Sequence, residues 1–219
     1  MAGNVADIQD TGGVIVVITD PEAIERESMR IIQEAIDEAG GYTGPFDNLP
    51  VIKRAVHATA DFDFLHTLYF SDGAVSQART ALANHTPIIT DTNMLMSGIS
   101  KRYGVKVICH VSDLETCSQA QARKTTRAVI SIERSVQEYP GAIFAIGNAP
   151  TALIRLCELI HEGKAHPALV IGVPVGFVNV IEAKNMLAEL TDTPRIIAHG
   201  RKGGTTVACA IINAILYGM

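Results

Sequence analysis

Short apolar segments alternate with longer amphipathic segments along most of this chain. Five short, nearly all-apolar segments are predicted strands: 87–90, 105–109, 142–146, 168–172 and 195–198. Apolar residues spaced by three and four predict helices before, between and after them, at 75–84, 93–100, 114–138, 151–162, 180–190 and 205–217. Strands that are apolar on both faces are typical of a parallel sheet covered by helices on both sides. The pattern therefore predicts a three-layer α/β/α fold with a mostly parallel sheet.

Local signals define the remaining helices and the domain organisation. Asp20 followed by Pro21 is a typical helix start, and the pair Gly40-Gly41 is a typical helix end. A second short helix is predicted at 51–58, and the helical stretch at 114–138 is expected to break near Lys124-Thr125. Because the chain has no break in composition and no internal repeat, residues 1–219 are predicted to form one domain. Residues 1–13 are expected to be a flexible N-terminal extension.

Composition and charge exclude several classes of protein. With 219 residues, 47% hydrophobic and 19% charged, the chain is not disordered. Its net charge of −5 argues against a general nucleic-acid or anionic-membrane binder. Its longest apolar stretch, 168–181, is too short for a membrane helix, and no targeting signal is recognisable, so a cytoplasmic protein is expected. The four cysteines have no CxxC spacing, which predicts reduced thiols and no metal site.

Candidate chemistry lies where the predicted strands end, since open parallel sheets bind ligands at the carboxyl ends of their strands. Glycine-rich turns follow three of these strands, and Arg201-Lys202 stands beside Gly203-Gly204 at a predicted helix start. This arrangement suits a carboxylate or a phosphate, although ordinary strand-to-helix turns also contain glycine. Neither GxGxxG nor GxxxxGK[ST] is present, so no nucleotide cofactor is expected.

His57 is the histidine with two distinct interpretations. It lies near the end of an apolar helical segment, where a lone histidine is usually a hydrogen-bonded core residue. Beside an anionic ligand it would instead suit proton transfer, because histidine ordinarily changes charge near neutral pH. The residues alone leave both interpretations open.

Five segments carry a resemblance to a known family: 56–62 (VHATADF), 90–94 (TDTNM), 145–153 (AIGNAPTAL), 171–178 (IGVPVGFV) and 200–204 (GRKGG). In these segments the chain resembles the precorrin-8X methylmutases, in particular the cobalt-precorrin-8 form. The resemblance implies a three-layer fold, a homodimer with the site near the subunit interface, and no cofactor. It also implies an isomerase that moves a methyl group from C-11 to C-12 of a tetrapyrrole, giving (cobalt-)hydrogenobyrinate.

The resemblance also implies site residues. His57 matches the catalytic histidine, a proton donor and acceptor, and Ser28 matches a substrate-binding serine. Further substrate-binding positions are Arg54, Asp91, Met94, Arg127, Lys202 and Gly203. Glu27 departs from the family, which usually has arginine there. This departure motivates one alternative, a corrinoid-binding or carrier protein without turnover. A nucleotide-dependent α/β enzyme is the other alternative, although its fingerprint is missing.

Overall fold

The structure is a computed structural model that describes residues 18–101 and 103–219. The predicted N-terminal extension, residues 1–13, lies outside the described residues. Among the residues described, no helix combines the length and the apolar character needed to cross a membrane.

Helices and strands alternate along the chain, with a cluster of helices at its start. The first half forms α1 (Pro21–Glu38), α2 (Leu49–Thr59), α3 (Phe64–Thr67), β1 (Leu68–Phe70), α4 (Ala74–Ala83), β2 (Ile88–Thr90), α5 (Asn93–Gly98) and β3 (Val107–Ile108). The second half forms α6 (Leu114–Ala122), α7 (Arg127–Glu138), β4 (Ile143–Ile146), α8 (Pro150–His161), β5 (Leu169–Gly172), α9 (Val180–Glu189), β6 (Arg195–Ala198) and α10 (Thr205–Tyr217).

The six strands form one sheet in the order β1-β6-β5-β4-β2-β3. All neighbouring pairs are parallel except β1, which runs antiparallel to β6. The mostly parallel sheet predicted from the sequence is therefore confirmed. The edge strand β1 was not predicted, because three residues are too few for a periodic pattern and its pairing with β6 is a tertiary contact.

Both faces of the sheet are covered by helices. In β4, Ile143 and Ala145 belong to a core shared with α2 and α10, whereas Phe144 and Ile146 belong to a second core shared with α7 and α8. Alternate residues of one strand thus enter opposite cores, as expected for a sheet buried on both faces. The single-domain, three-layer α/β/α architecture is confirmed.

The helix boundaries follow the local signals in the sequence. The Asp20 side chain accepts a hydrogen bond of 2.7 Å from the Ala23 N–H and so caps α1. The predicted break in the long helical segment is present between α6 and α7, where Lys124 adopts a left-handed conformation with φ of 50°. Thr126 then caps α7 by accepting a hydrogen bond from the Val129 N–H.

The chain changes direction across the sheet between β2 and β4. From β2 it proceeds outward to β3, then returns to β4 on the other side of β2 and continues to β5 and β6. Such a switch point usually opens a crevice at the carboxyl ends of the two strands. The loops after β2, β4, β5 and β6 all lie along this edge.

Candidate functional site

A mainly apolar cavity of about 370 Å³ lies in the helix layer formed by α2, α5 and α10, and its lining extends along α10 from Thr205 to Tyr217. Its wall includes Arg54 and His57 of α2, Met94 of α5, and Thr205, Cys209 and Tyr217 of α10. The cavity thus brings together three of the residues that the resemblance implied: His57, Arg54 and Met94.

His57 occupies the last turn of α2 with an exposed side chain. The buried face of this helix is formed by neighbours such as Ala55 and Val56, so His57 does not belong to the core. The helix ends at Ala60, which has a left-handed φ of 53°. The interpretation of His57 as a core histidine is therefore wrong, and its ring is accessible from the cavity.

Arg54 stands one helical turn before His57 and forms an ion pair with Glu25 of α1. Its guanidinium carbon also lies 5.9 Å from the centre of the Tyr217 ring. Glu25 and Tyr217 together hold the arginine at the cavity wall, since the face of an aromatic ring attracts a guanidinium cation.

The residues of α1 lie outside this cavity wall. The Ser28 hydroxyl donates a hydrogen bond of 2.8 Å to the Ile24 carbonyl of its own helix. Glu27 forms a hydrogen-bonded ion pair with Arg30, and the hydrogen bond from Arg30 holds the pKa of Glu27 below its ordinary value. The unusual glutamate therefore has a local counter-charge.

Lys202 and Gly203 lie in the loop at 199–204 that leads into α10. The Lys202 ammonium group is 2.6 Å from carboxylate oxygens of both Asp61 and Asp63, just beyond the helix of His57. These contacts raise the pKa of Lys202 and lower that of Asp61. At Gly203, which has φ of 152°, a Cβ atom would lie 2.2 Å from the Val173 carbonyl oxygen. Gly203 therefore permits close approach between the loops after β5 and β6.

Lys184 is a buried residue of α9 that is not among the site residues expected from the sequence. Its ammonium nitrogen donates hydrogen bonds of 2.7 Å to the Gly200 carbonyl and 2.8 Å to the Lys202 carbonyl. Burial lowers the pKa of Lys184 to about 8. A signal was present, because Lys184 falls on the face of the predicted helix at 180–190 that also contains Ala183 and Leu187.

Asp91 does not reach the cavity. It is buried at the switch point, where its carboxylate accepts hydrogen bonds from the backbone N–H groups of Gly147 at 3.2 Å, Asn148 at 2.7 Å and Ala149 at 2.7 Å. Burial raises the pKa of Asp91, while the three donors favour its ionised form and oppose that rise. Asp91 therefore fastens the loop after β4 to the end of β2.

Arg127 is also absent from the cavity wall. It is exposed at the start of α7, which covers the opposite face of the sheet from α2. Its neighbour Thr126 lies against the start of α8, with 3.1 Å between the hydroxyl oxygens of Thr126 and Thr151. Of the residues implied by resemblance, Ser28, Asp91 and Arg127 thus neither line the cavity nor belong to the loop at 199–204. Among the described residues, no group of three or more His, Cys, Asp or Glu side chains is arranged to hold a metal ion.

Comparisons with known proteins identify relatives of this chain. A family model described as precorrin-8X methylmutase matches residues 23–218. The chain is 39% identical over 199 residues to the cobalt-precorrin-8 methylmutase of Priestia megaterium, covering 89% of this chain and 87% of that protein. It is 35% identical over 202 residues to the precorrin-8X methylmutase of Pseudomonas aeruginosa, covering 90% and 96%.

A solved structure agrees with these sequence relationships. The crystal structure of the precorrin-8x methyl mutase from Thermus thermophilus superposes with a TM-score of 0.82 at 39% identity, covering 90% of this chain and 95% of that chain. The family model spans nearly the whole described chain, and the relatives are similar in length to it. The chain therefore belongs to the precorrin-8X methylmutase family and is an isomerase of cobalamin biosynthesis.

Proposed function

We propose that this protein moves a methyl group from C-11 to C-12 of precorrin-8 or its cobalt complex, giving hydrogenobyrinate or its cobalt form, with His57 as proton donor and acceptor. The observation that carries the proposal is the placement of His57, Arg54 and Met94 around one mainly apolar cavity. An apolar wall suits the face of a tetrapyrrole, and a cation at the rim suits its peripheral carboxylates.

The reaction is a rearrangement within one molecule. The bond between the methyl group and C-11 breaks while a bond to C-12 forms, so no electrons are gained or lost and no methyl donor is required. The protein contributes by holding the ring in a reactive geometry and by supplying a proton where the conjugation changes. His57 gives a proton to a ring nitrogen and takes it back afterwards, which leaves the enzyme unchanged after each cycle.

A homodimer is part of this proposal. A cavity of about 370 Å³ is near the lower end of the range for drug-sized ligands, and a tetrapyrrole with its side chains is larger. Exposed apolar side chains also lie at the carboxyl edge of the sheet, including Met94 at 73% and Phe177 at 88% exposure. A second subunit would cover the part of the ligand that one chain leaves open, and light scattering coupled to gel filtration measures the assembly.

The decisive experiment separates binding from turnover. Purified protein is mixed with hydrogenobyrinate, freed of excess ligand by gel filtration and examined by its visible spectrum. His57→Ala is then compared with His161→Ala, a matched variant of an exposed histidine at the end of α8. We expect His57→Ala to lower kcat by about 10²–10⁴-fold, the usual contribution of general acid–base catalysis. Its dissociation constant for the product should stay within about threefold of the wild-type value.

Two results would contradict the proposal. Turnover by His57→Ala at the wild-type rate would remove His57 from the chemistry. A wild-type protein that binds product but converts neither precorrin-8 nor its cobalt complex would be a corrinoid carrier instead. Glu27, whose departure from the family motivates that alternative, forms an ion pair with Arg30 of the same helix.

A further inference from the structure

Lys184 is a buried cation whose observed partners are two carbonyl groups. Its side chain is almost completely enclosed, with 1% exposure, and no carboxylate of the described residues lies within ion-pair distance of it. A buried ammonium group is unfavourable unless its N–H groups are bonded. Here the Gly200 and Lys202 carbonyls accept those bonds. Both hydrogen bonds of the Lys184 side chain therefore go to the loop at 199–204.

These two bonds orient the backbone of the loop. In a planar trans peptide the C=O and the following N–H point in opposite directions. Because the Gly200 and Lys202 carbonyls face the Lys184 nitrogen, the N–H groups of Arg201 and Gly203 point away from it. Two further bonds, from Gly204 N–H to the Val173 carbonyl at 2.8 Å and from Gly176 N–H to the Arg201 carbonyl at 3.3 Å, tie this loop to the one after β5.

The same loop forms part of the surroundings of His57. Thr205 and Thr206, which directly follow it, line the cavity. The Lys202 side chain reaches Asp61 and Asp63, which directly follow the helix of His57. A shift of this loop would therefore disturb two sides of the site, although Lys184 itself is not part of the cavity wall.

We propose that Lys184 is a positioning residue for the reaction proposed above: its buried ammonium group holds the loop at 199–204 in the conformation that completes the tetrapyrrole site. This inference rests on the proposed function. It concerns binding more than chemistry, because the loop adjoins the cavity while the proposed proton transfer belongs to His57.

Lys184→Met tests the proposal, since it keeps an unbranched side chain only one heavy atom shorter than lysine and removes the N–H donors. Lys184→Gln is a second variant, which is also one atom shorter than lysine and keeps a polar end that is unable to span both carbonyls. Lys184→Arg keeps the charge and the donors. Lys164→Met is the matched control, an exposed lysine paired with Glu162 at the opposite edge of the sheet. Steady-state kinetics, the dissociation constant for hydrogenobyrinate, hydrogen exchange of each peptide and the melting temperature are measured for every variant.

We expect Lys184→Met to raise KM and the dissociation constant for product at least tenfold while kcat changes less than threefold. Hydrogen exchange should accelerate at least tenfold in peptides covering 199–206, with β6 and α9 as protected as in the wild type. Lys184→Arg should recover most of the lost affinity, and Lys164→Met should match the wild type. If Lys184→Met does not fold, Lys184→Gln is expected to show the same pattern.

Several outcomes would overturn the inference. Wild-type KM and loop protection in Lys184→Met would show that the loop does not depend on Lys184. Faster exchange throughout β6 and α9, or failure of both the Met and Gln variants to fold, would show a general structural role. Failure of the proposed function is a separate result, because it would appear in the wild-type protein itself, as absent product binding or as product binding without turnover. Exchange in the free protein would still report whether Lys184 holds the loop.

Discussion

Replacing Asp91 tests whether this residue contacts the ligand or organises the loop after β4. Its two carboxylate oxygens accept three backbone N–H groups from Gly147, Asn148 and Ala149 in a buried setting. Asp91→Asn keeps the shape of the side chain but exchanges one oxygen for an amino group. If the amide oxygen keeps the two bonds of 2.7 Å, the amino group faces the Gly147 N–H, donor against donor.

The expected loss of free energy of unfolding follows from these contacts. One buried N–H left without an acceptor costs about 1–3 kcal/mol, and two charge-assisted bonds that become neutral cost about 1 kcal/mol more. Asp91→Asn should therefore lower the free energy of unfolding by about 2–4 kcal/mol. Asp91→Ala leaves all three donors unpaired and should lower it by at least about 3 kcal/mol, at about 1 kcal/mol for each donor.

Urea unfolding followed by circular dichroism measures both variants, with Asp72→Asn as the control because Asp72 is an exposed acid in a turn. A ligand-contact role makes the opposite prediction: unchanged stability and weaker binding of the corrinoid product. A free energy of unfolding for Asp91→Asn within about 0.5 kcal/mol of the wild-type value would refute the reasoning, since ordinary surface substitutions have effects of that size.

Two other predictions use titratable groups. Burial raises the pKa of Cys209, so alkylation of this thiol in the cavity should be slow. Bound hydrogenobyrinate should slow the alkylation of Cys209 at least tenfold further and leave that of Cys109 unchanged. Equal alkylation rates with and without product would place the ligand elsewhere. The folded-state pKa of Lys184 is about 8, below the ordinary 10.5, so the unfolded chain binds more protons between these values and stability rises with pH. The free energy of unfolding of the wild type relative to Lys184→Met should increase by about 2 kcal/mol from pH 8 to pH 10, and a decrease would contradict the assigned burial of the charge.

The sequence predicts the layered fold well because its strands are buried on both faces. In β4 and β5 every residue faces one core or the other, so a continuous apolar run marks each strand. The strand β1 has no such signal: Tyr69 is exposed, and the segment is a strand only because its backbone pairs with β6. Long-range pairing of this kind cannot be recognised from three residues.

The candidate site is less predictable, because residue type does not reveal what a side chain faces. Asp91 follows a strand at the expected edge, but its carboxylate faces backbone N–H groups of the neighbouring loop. Whether such an acid faces a ligand or the protein is decided by the tertiary structure. Lys184 is the converse case, since a lysine on the apolar face of a predicted helix already indicates a buried charge that requires partners.

The cations near the cavity are mostly paired with acids of the same chain, which bears on how an acidic protein binds an acidic ligand. Arg54 is paired with Glu25, and Lys202 is paired with Asp61 and Asp63. A ligand carboxylate that takes either cation must replace a protein carboxylate, so the net electrostatic gain from the exchange is small. Arg201, in contrast, is exposed and has no ion-pair partner among the residues described. We therefore expect the apolar contact with the cavity wall to supply most of the affinity, and Arg201 and the neighbouring loop N–H groups to orient the ring by its carboxylates.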